Sequence, residues 1–346
     1  MGSIITIIVV MIVVTTTVTY TTAPLATATS VSSSKPTQVS TSSQPPPLRW
    51  FASTSYPTEI WTQSCASYGG YIYCVGGLDG TEVSNITASV YFAELTPTGV
   101  GPWTMTTSYP MSIRSASCVA SGGDIYCIGG YNATSLTSEV YYAAVSPTGV
   151  GKWTRTSSYP TGIWTQSCAA TGLGVYCVGG ESPAENEVNS VYFSRFTSSG
   201  LGPWNDTTGY PVGVRQQSCV ATASDLYCIG GLDYTAVNFA PIISSGVGTW
   251  SNTTGYPFTV GANLLSCSVI DTTVYCVAGH TGPNVSNDTY YASLTTSGVG
   301  PWMPAGSYPI GVWGLSCVSS GEAIYCAGGE TASGSLTDTV AYLSSA

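Results

Sequence analysis

The chain has 346 residues, of which only 7% are charged, with seven Lys or Arg against seventeen Asp or Glu and a net charge of −10. So few cations cannot build the basic face that a phosphate backbone requires, which excludes nucleic-acid binding. A single histidine, and cysteines never two to four positions apart, exclude zinc fingers and ribbons; no metal and no cofactor is expected.

The chain opens on an uncharged apolar run of eleven, IITIIVVMIVV at 4–14, followed by the small-residue stretch Ala26-Thr27-Ala28. Residues 1–28 therefore read as a signal peptide or, if the Thr-rich stretch to Tyr20 joins the run, as a retained N-terminal membrane anchor. Residues 29–47, rich in Ser, Thr and Pro and ending in Pro45-Pro46-Pro47, read as an extended, solvated linker. The folded domain is expected over 48–346.

From here the chain repeats. SCASYGGYIYCVGG (64–77) recurs with small changes at 117–130, 167–180, 218–231, 266–279 and 316–329, and all twelve cysteines lie in these six copies. Such a period, near 50 residues, marks a repeat architecture. Within a copy the centre of symmetry between Cys65 and Cys74 falls on Gly69-Gly70, a pair suited to a two-residue hairpin turn. Counting outward places the two cysteines opposite one another at a non-hydrogen-bonded pair, where a disulfide fits. The spacing predicts six local bridges: Cys65–Cys74, Cys118–Cys127, Cys168–Cys177, Cys219–Cys228, Cys267–Cys276 and Cys317–Cys326. Twelve paired cysteines imply an oxidising compartment, outside the cell or at its surface. Six Asn-x-Ser/Thr sequons, at Asn85, Asn132, Asn205, Asn252, Asn284 and Asn287, are candidate N-glycosylation sites there.

Each repeat reads as four strands. Strand a enters the first cysteine, and strand b carries the second and ends at the glycine doublet. After a variable loop comes strand c, as in SVYFAEL (89–95), then a Gly-rich segment and a tryptophan that opens strand d, as in GVGPW (99–103). Tyr-Pro closes the unit. Short strands with regular turn signals and no helical period mean an all-β chain. The sixth repeat stops after strand c, while Trp50 precedes Tyr56 by the same six residues that separate Trp103 from Tyr109. The N-terminal strand is thus expected to complete the last blade of a closed, six-bladed β-propeller.

The Gly-Gly doublet ending strand b, the Tyr before it, and the downstream Tyr and Trp resemble the kelch-repeat family of β-propellers, here in a disulfide-containing form. That resemblance implies a propeller and, commonly, a binding role; it does not imply a substrate. Three departures stand out. The span from Tyr91 to Trp103 suggests an extended c–d loop, blade 5 reads Ala278-Gly279, and strand c of blade 4 (VNFAPII, 237–243) looks degenerate.

Four positions before the first cysteine, the blades carry Trp61, Arg114, Trp164, Arg215, Asn263 and Trp313. In a propeller this is the start of the innermost strand, so the six side chains are expected to ring one mouth of the central channel. Gln63, Gln166 and Gln217 follow two residues further in. Such a set can stack on and hydrogen-bond a sugar or a peptide. Ten acidic residues, among them Glu181, Glu185, Glu187 and Glu330, lie in or beside the b–c loops and are expected to form a solvated rim. No catalytic constellation emerges, since every Ser-His-Asp set would have to use His280. The expectation is a non-enzymatic, secreted or surface-anchored module that binds a glycan or protein. The alternative is a self-associating structural subunit of a surface layer or extracellular filament, with a glycan-active hydrolase as the less favoured third reading.

Overall fold

The serine before each first cysteine ties one repeat to the next. Its hydroxyl accepts the cysteine N–H of the following repeat, from Ser64 to Cys118 and so on to Ser266 and Cys317, at 2.8–3.0 Å. The series then closes, because Ser316 accepts the N–H of Cys65 at 2.9 Å. In the computed structural model, which describes residues 48–345 apart from Thr81 and Glu185, the chain is an all-β, six-bladed propeller. The segments read as signal peptide or anchor (1–28) and as linker (29–47) lie outside the described residues, as does Glu185. Among the described residues no helix is long and apolar enough to cross a membrane.

Blade 1 shows the local logic. Strand a (Ser64–Tyr68) and strand b (Tyr71–Val75) meet across Gly69-Gly70, both at positive φ, in the register Tyr68↔Tyr71 and Cys65↔Cys74. All six predicted disulfides form across such directly opposed pairs, with Cα atoms 4.0–4.1 Å apart. Each bridge closes a loop of about ten residues, which contributes on the order of 2–3 kcal/mol to its own hairpin. Holding the blades together falls to other contacts.

Strand c (Val90–Thr96) does not lead into the extended loop that its spacing suggested. It turns at once, Thr96 pairing with Gly99 and Leu95 with Val100, and pairing resumes at Phe92↔Thr104. The intervening Gly101-Pro102-Trp103 leaves the ladder as a bulge, and the same break recurs at Gly151-Lys152-Trp153 and Gly248-Thr249-Trp250, where no proline is present. Strand c of blade 4 is likewise intact, from Tyr234 to Ile243, despite its irregular sequence.

The bulged tryptophans are pegs between chain segments. Each stands edge-on to the tyrosine of a Tyr-Pro pair: Tyr56–Trp103, Tyr109–Trp153, Tyr159–Trp204, Tyr210–Trp250 and Tyr256–Trp302, with centroids 4.8–5.0 Å apart. The sixth pair is Trp50–Tyr308 at 4.9 Å. Trp50 sits on the N-terminal strand Arg49–Ala52, which pairs with Val340–Ser344 and completes the sixth sheet. The core divides accordingly into six apolar clusters, one between each pair of neighbouring blades. The cluster joining blade 1 to blade 6 brings Ile72, Ala93 and Val100 against Val318, Tyr325 and Val340.

The glycine doublets serve the same seams. The second glycine donates to a carbonyl of the next blade, as in Gly77 to Ile113 at 2.8 Å and Gly329 to Ile60 at 2.8 Å. A Cβ on the first, Gly76 (φ +62°), would stand 2.2 Å from the Ile113 oxygen. Blade 5 carries Ala278 at this position, with φ 57°.

Two outcomes follow for stability. Gly69→Ala, at positive φ in open space, is expected to cost about 1 kcal/mol. Gly76→Ala adds the collision to that strain and costs at least twice as much, whereas Ala278→Gly stabilises by about 0.5–1 kcal/mol. Thermal melting of the three variants checks the order. The second outcome concerns pH. Burial pushes the phenol of Tyr210 up to about 12, with the Asn238 amide opposing, and raises those of Tyr56, Tyr109, Tyr159 and Tyr308 further. The folded values exceed the unfolded one, so this contribution is fully present below pH 10 and is lost as pH rises through the folded values. Phenolate absorbance from these tyrosines should therefore appear only together with unfolding; ionisation in the intact fold would contradict the packing described.

Candidate functional site

Three residues before each first cysteine the chain makes a closed collar around the axis. Thr62, Ser115, Thr165, Gln216, Leu264 and Gly314 each donate the backbone N–H to the carbonyl of the counterpart in the preceding blade, and Thr62 closes the circle onto Gly314. The six bonds are 2.9–3.2 Å long. All six residues have φ between 49° and 64°. Five of them are not glycine, and for such residues the left-handed region is unfavourable by about 1–2 kcal/mol each. The closed hydrogen-bond circle over-determines the strained conformation.

One residue before the collar stand Trp61, Arg114, Trp164, Arg215, Asn263 and Trp313. Their backbones bond to the residue after the glycine doublet of the same blade: Leu78, Tyr131, Glu181, Leu232, His280 and Glu330 respectively. The mouth is thus two-tiered, with the variable b–c loops supplying the second tier. Sequence reasoning set Glu181 and Glu330 in or beside the b–c loops and did not single out Tyr131 or His280 as part of the mouth. Their fixed position immediately after the doublet was the available signal.

The first-tier side chains are not equivalent. Trp313, Trp61, Arg114 and Trp164 form a continuous arc. The rings of Trp61 and Trp313 are 5.0 Å apart, and the Arg114 guanidinium lies 5.8 Å from the Trp61 ring, 5.5 Å from Tyr131 and 5.2 Å from Trp164. Burial pulls the Arg114 pKa down, against the pull of Tyr131. Gly314 makes room for the arc, since a Cβ there would sit 2.1 Å from Trp61 Nε1. Within the arc Trp61 Nε1, Trp164 Nε1 and Arg114 Nε are buried donors without an acceptor.

The other half of the mouth is internally paired. Arg215 forms an ion pair with Glu181, and its Nε lies 3.5 Å from Glu187. Asn263 Nδ2 donates to Gln216 Oε1 at 3.4 Å. His280 packs on Trp313 with ring centroids 4.5 Å apart, and its Nδ1 lies 3.3 Å from the Gly282 carbonyl. Burial raises the Glu330 carboxyl, with His280 opposing. Among the described residues no group of three His, Cys, Asp or Glu side chains is placed to hold a metal. A cavity of about 360 Å³ opens beside Trp61 and Trp313, walled by Leu78, Leu336 and Glu330. The opposite end of the channel carries small side chains such as Ala66, Ala120, Ala170 and Ala221.

Gln63, Gln166 and Gln217 do not reach this mouth. They lie on the far side of the collar, 4–5% exposed, and donate Nε2 to Ala327, Ile128 and Val178 of the preceding blade at 2.6–2.8 Å. Of the sequon asparagines, Asn205, Asn252 and Asn284 are exposed and Asn85, Asn132 and Asn287 are half-buried. The Asn287 amide nitrogen donates to the Tyr308 carbonyl at 3.1 Å.

Residues 113–142, which are strands a to c of the second blade, match the Kelch motif. Among solved structures the chain is similar to the structure of YjhT, with a TM-score of 0.67 over 82% of this chain and 95% of that one, at 13% identity. At that identity the likeness is one of fold. No curated protein matches the chain. The chain is thus a six-bladed β-propeller that carries a kelch motif in its second blade and is stapled by six hairpin disulfides suited to an oxidising environment.

Proposed function

We propose that the protein is an extracellular binding module, not an enzyme, and that it takes a glycan at the aromatic half of its mouth. The observation that carries this reading is the arc Trp313–Trp61–Arg114–Trp164, in which the Trp61 and Trp313 rings lie 5.0 Å apart and the Arg114 guanidinium stands 5.8 Å from Trp61 and 5.2 Å from Trp164. Aromatic faces accept the C–H faces of a pyranose. The adjoining cavity of about 360 Å³ is at the small end of the range for ligand pockets. It suits a terminal sugar unit better than a folded protein surface.

The charged half of the mouth sets specificity. Arg215 is neutralised by Glu181 and Glu187, so it does not draw anionic ligands indiscriminately. Export and surface display fit this role, and the linker at 29–47 would hold the propeller clear of a membrane or wall. Self-association into a layer has no comparable support among these contacts.

A glycan array probed with the purified propeller tests the proposal. Binding to at least one neutral or weakly charged glycan is expected. Trp164→Ala and Trp61→Ala should each weaken it about tenfold, the loss expected when roughly 1–1.5 kcal/mol of stacking is removed. Binding unchanged in both variants, or binding only to peptides, would overturn the assignment.

A further inference from the structure

The six sequons are alike in sequence, but the fold has already engaged most of the groups that a sugar transfer needs. Asn205, Asn252 and Asn284 are the more exposed asparagines, yet their partners two residues on are committed. The hydroxyls of Thr207 and Thr254 donate to the Val247 and Val299 carbonyls of the next blade at 3.2 and 2.7 Å, and that of Ser286 donates to Asp288 at 2.9 Å. After Asn85, the hydroxyl of Thr87 donates to Ser89 at 2.8 Å, and Asn287 donates its own amide nitrogen to the Tyr308 carbonyl. Asn132 differs. Its Nδ2 has no partner among the described residues, and the hydroxyl of Thr134, an exposed residue, turns back to donate to Asn132 Oδ1 at 2.7 Å. The same oxygen accepts the backbone N–H groups of Thr134 and Ser135 at 3.1 and 2.9 Å, around Ala133 held at φ 72°.

We propose that Asn132 is the sequon that the folded protein presents for N-glycosylation, and that the glycan it carries screens the aromatic half of the mouth. The lone pair of an amide nitrogen is delocalised onto its oxygen, so attack requires that Nδ2 shed a proton. Three donors on Oδ1 stabilise the negative charge that gathers there as this happens. With a polyprenyl-diphosphate-linked sugar as co-reactant, Nδ2 bonds to the anomeric carbon. The bond from that carbon to the phosphate oxygen breaks, the diphosphate leaves with the electron pair, and the Nδ2 proton passes to a base of the transferase. At the other sequons a hydroxyl or an amide must first abandon a contact that the fold uses. The screening follows from Tyr131. Its phenol donates to the Ala133 carbonyl at 3.2 Å, which fastens the sequon turn to a ring 5.5 Å from the Arg114 guanidinium and 5.7 Å from the Trp164 ring. A sugar on Asn132 therefore begins beside the arc and narrows the approach to it, whatever the mouth binds.

The test exposes the folded, unglycosylated propeller, its disulfides intact, to an oligosaccharyltransferase and a polyprenyl-diphosphate-linked oligosaccharide. Mass spectrometry of the peptides should find sugar at Asn132 severalfold faster than at any other sequon, whereas the reduced, unfolded chain loses that preference. Thr134→Ser keeps the hydroxyl and should keep the modification; Thr134→Val keeps the shape and should lose it. An unmodified Asn132, or equal rates at Asn205 and Asn252 in the folded protein, overturns the assignment. So does the same preference for Asn132 in the unfolded chain. Hydroxyl-radical footprinting reads the screening. Tyr131 and Trp164 should label severalfold less in the glycosylated protein than in Asn132→Gln, with the pegging Trp103 unchanged. Equal labelling of Tyr131 and Trp164 in the two overturns the screening.

Discussion

The structure depends on one constraint, the closing of a circle. Thr62, Ser115, Thr165, Gln216, Leu264 and Gly314 are held in the left-handed region by a ring of six backbone hydrogen bonds that has no free end. Taken singly, each bond contributes only about 1 kcal/mol and is set against a strained backbone. Closed on itself, the ring removes any edge at which the strain could relax. The Ser–Cys ring, the glycine doublets and the Trp–Tyr pegs repeat the same principle at increasing distance from the axis. The disulfides have a different task, since each acts within one hairpin and none crosses a seam.

Where all six blades agree, the residues hold the ring; where they differ, they face the axis. Cysteines, serines and pegging tryptophans are near-invariant from blade to blade. One residue before the collar the chain changes from Trp to Arg to Asn, and two residues further in it changes from Gln to Ala to Leu. Scaffold and function are thus separated by a few residues on the same innermost strand. A symmetric fold supplies six equivalent positions, and the sequence breaks the symmetry at both tiers. The break gives an aromatic arc on one side of the mouth and, below the collar, glutamines that bond across the seam in three blades where the other three carry Ala or Leu.

Much of this was readable in the sequence because it depends on local geometry. The hairpin count from Gly69-Gly70 leads directly to Cys65 opposite Cys74, and the Trp50–Tyr56 spacing identifies the strand that pairs with Val340–Ser344. What escaped was set by distance across blades. Nothing in the tripeptide Trp61-Thr62-Gln63 signals that Thr62 adopts a positive φ, because its partners, Gly314 and Ser115, belong to other repeats. The glutamines were grouped with the mouth because sequence separation along a strand cannot show that the collar intervenes. The c–d segment looked like a long loop because a bulge and a loop have the same length in sequence; only the pairing of Leu95 with Val100 tells them apart.

The central claim is tested most directly by native-state hydrogen exchange at the seam between the first and last blades. If the circle is closed, the amides of Thr62 and Cys65, which bond to Gly314 and Ser316, exchange only through global unfolding. Their rates should match those of Thr165 and Cys168 at an internal seam. Exchange at Thr62 and Cys65 that is much faster than at the internal seam would show an open ring and contradict the account.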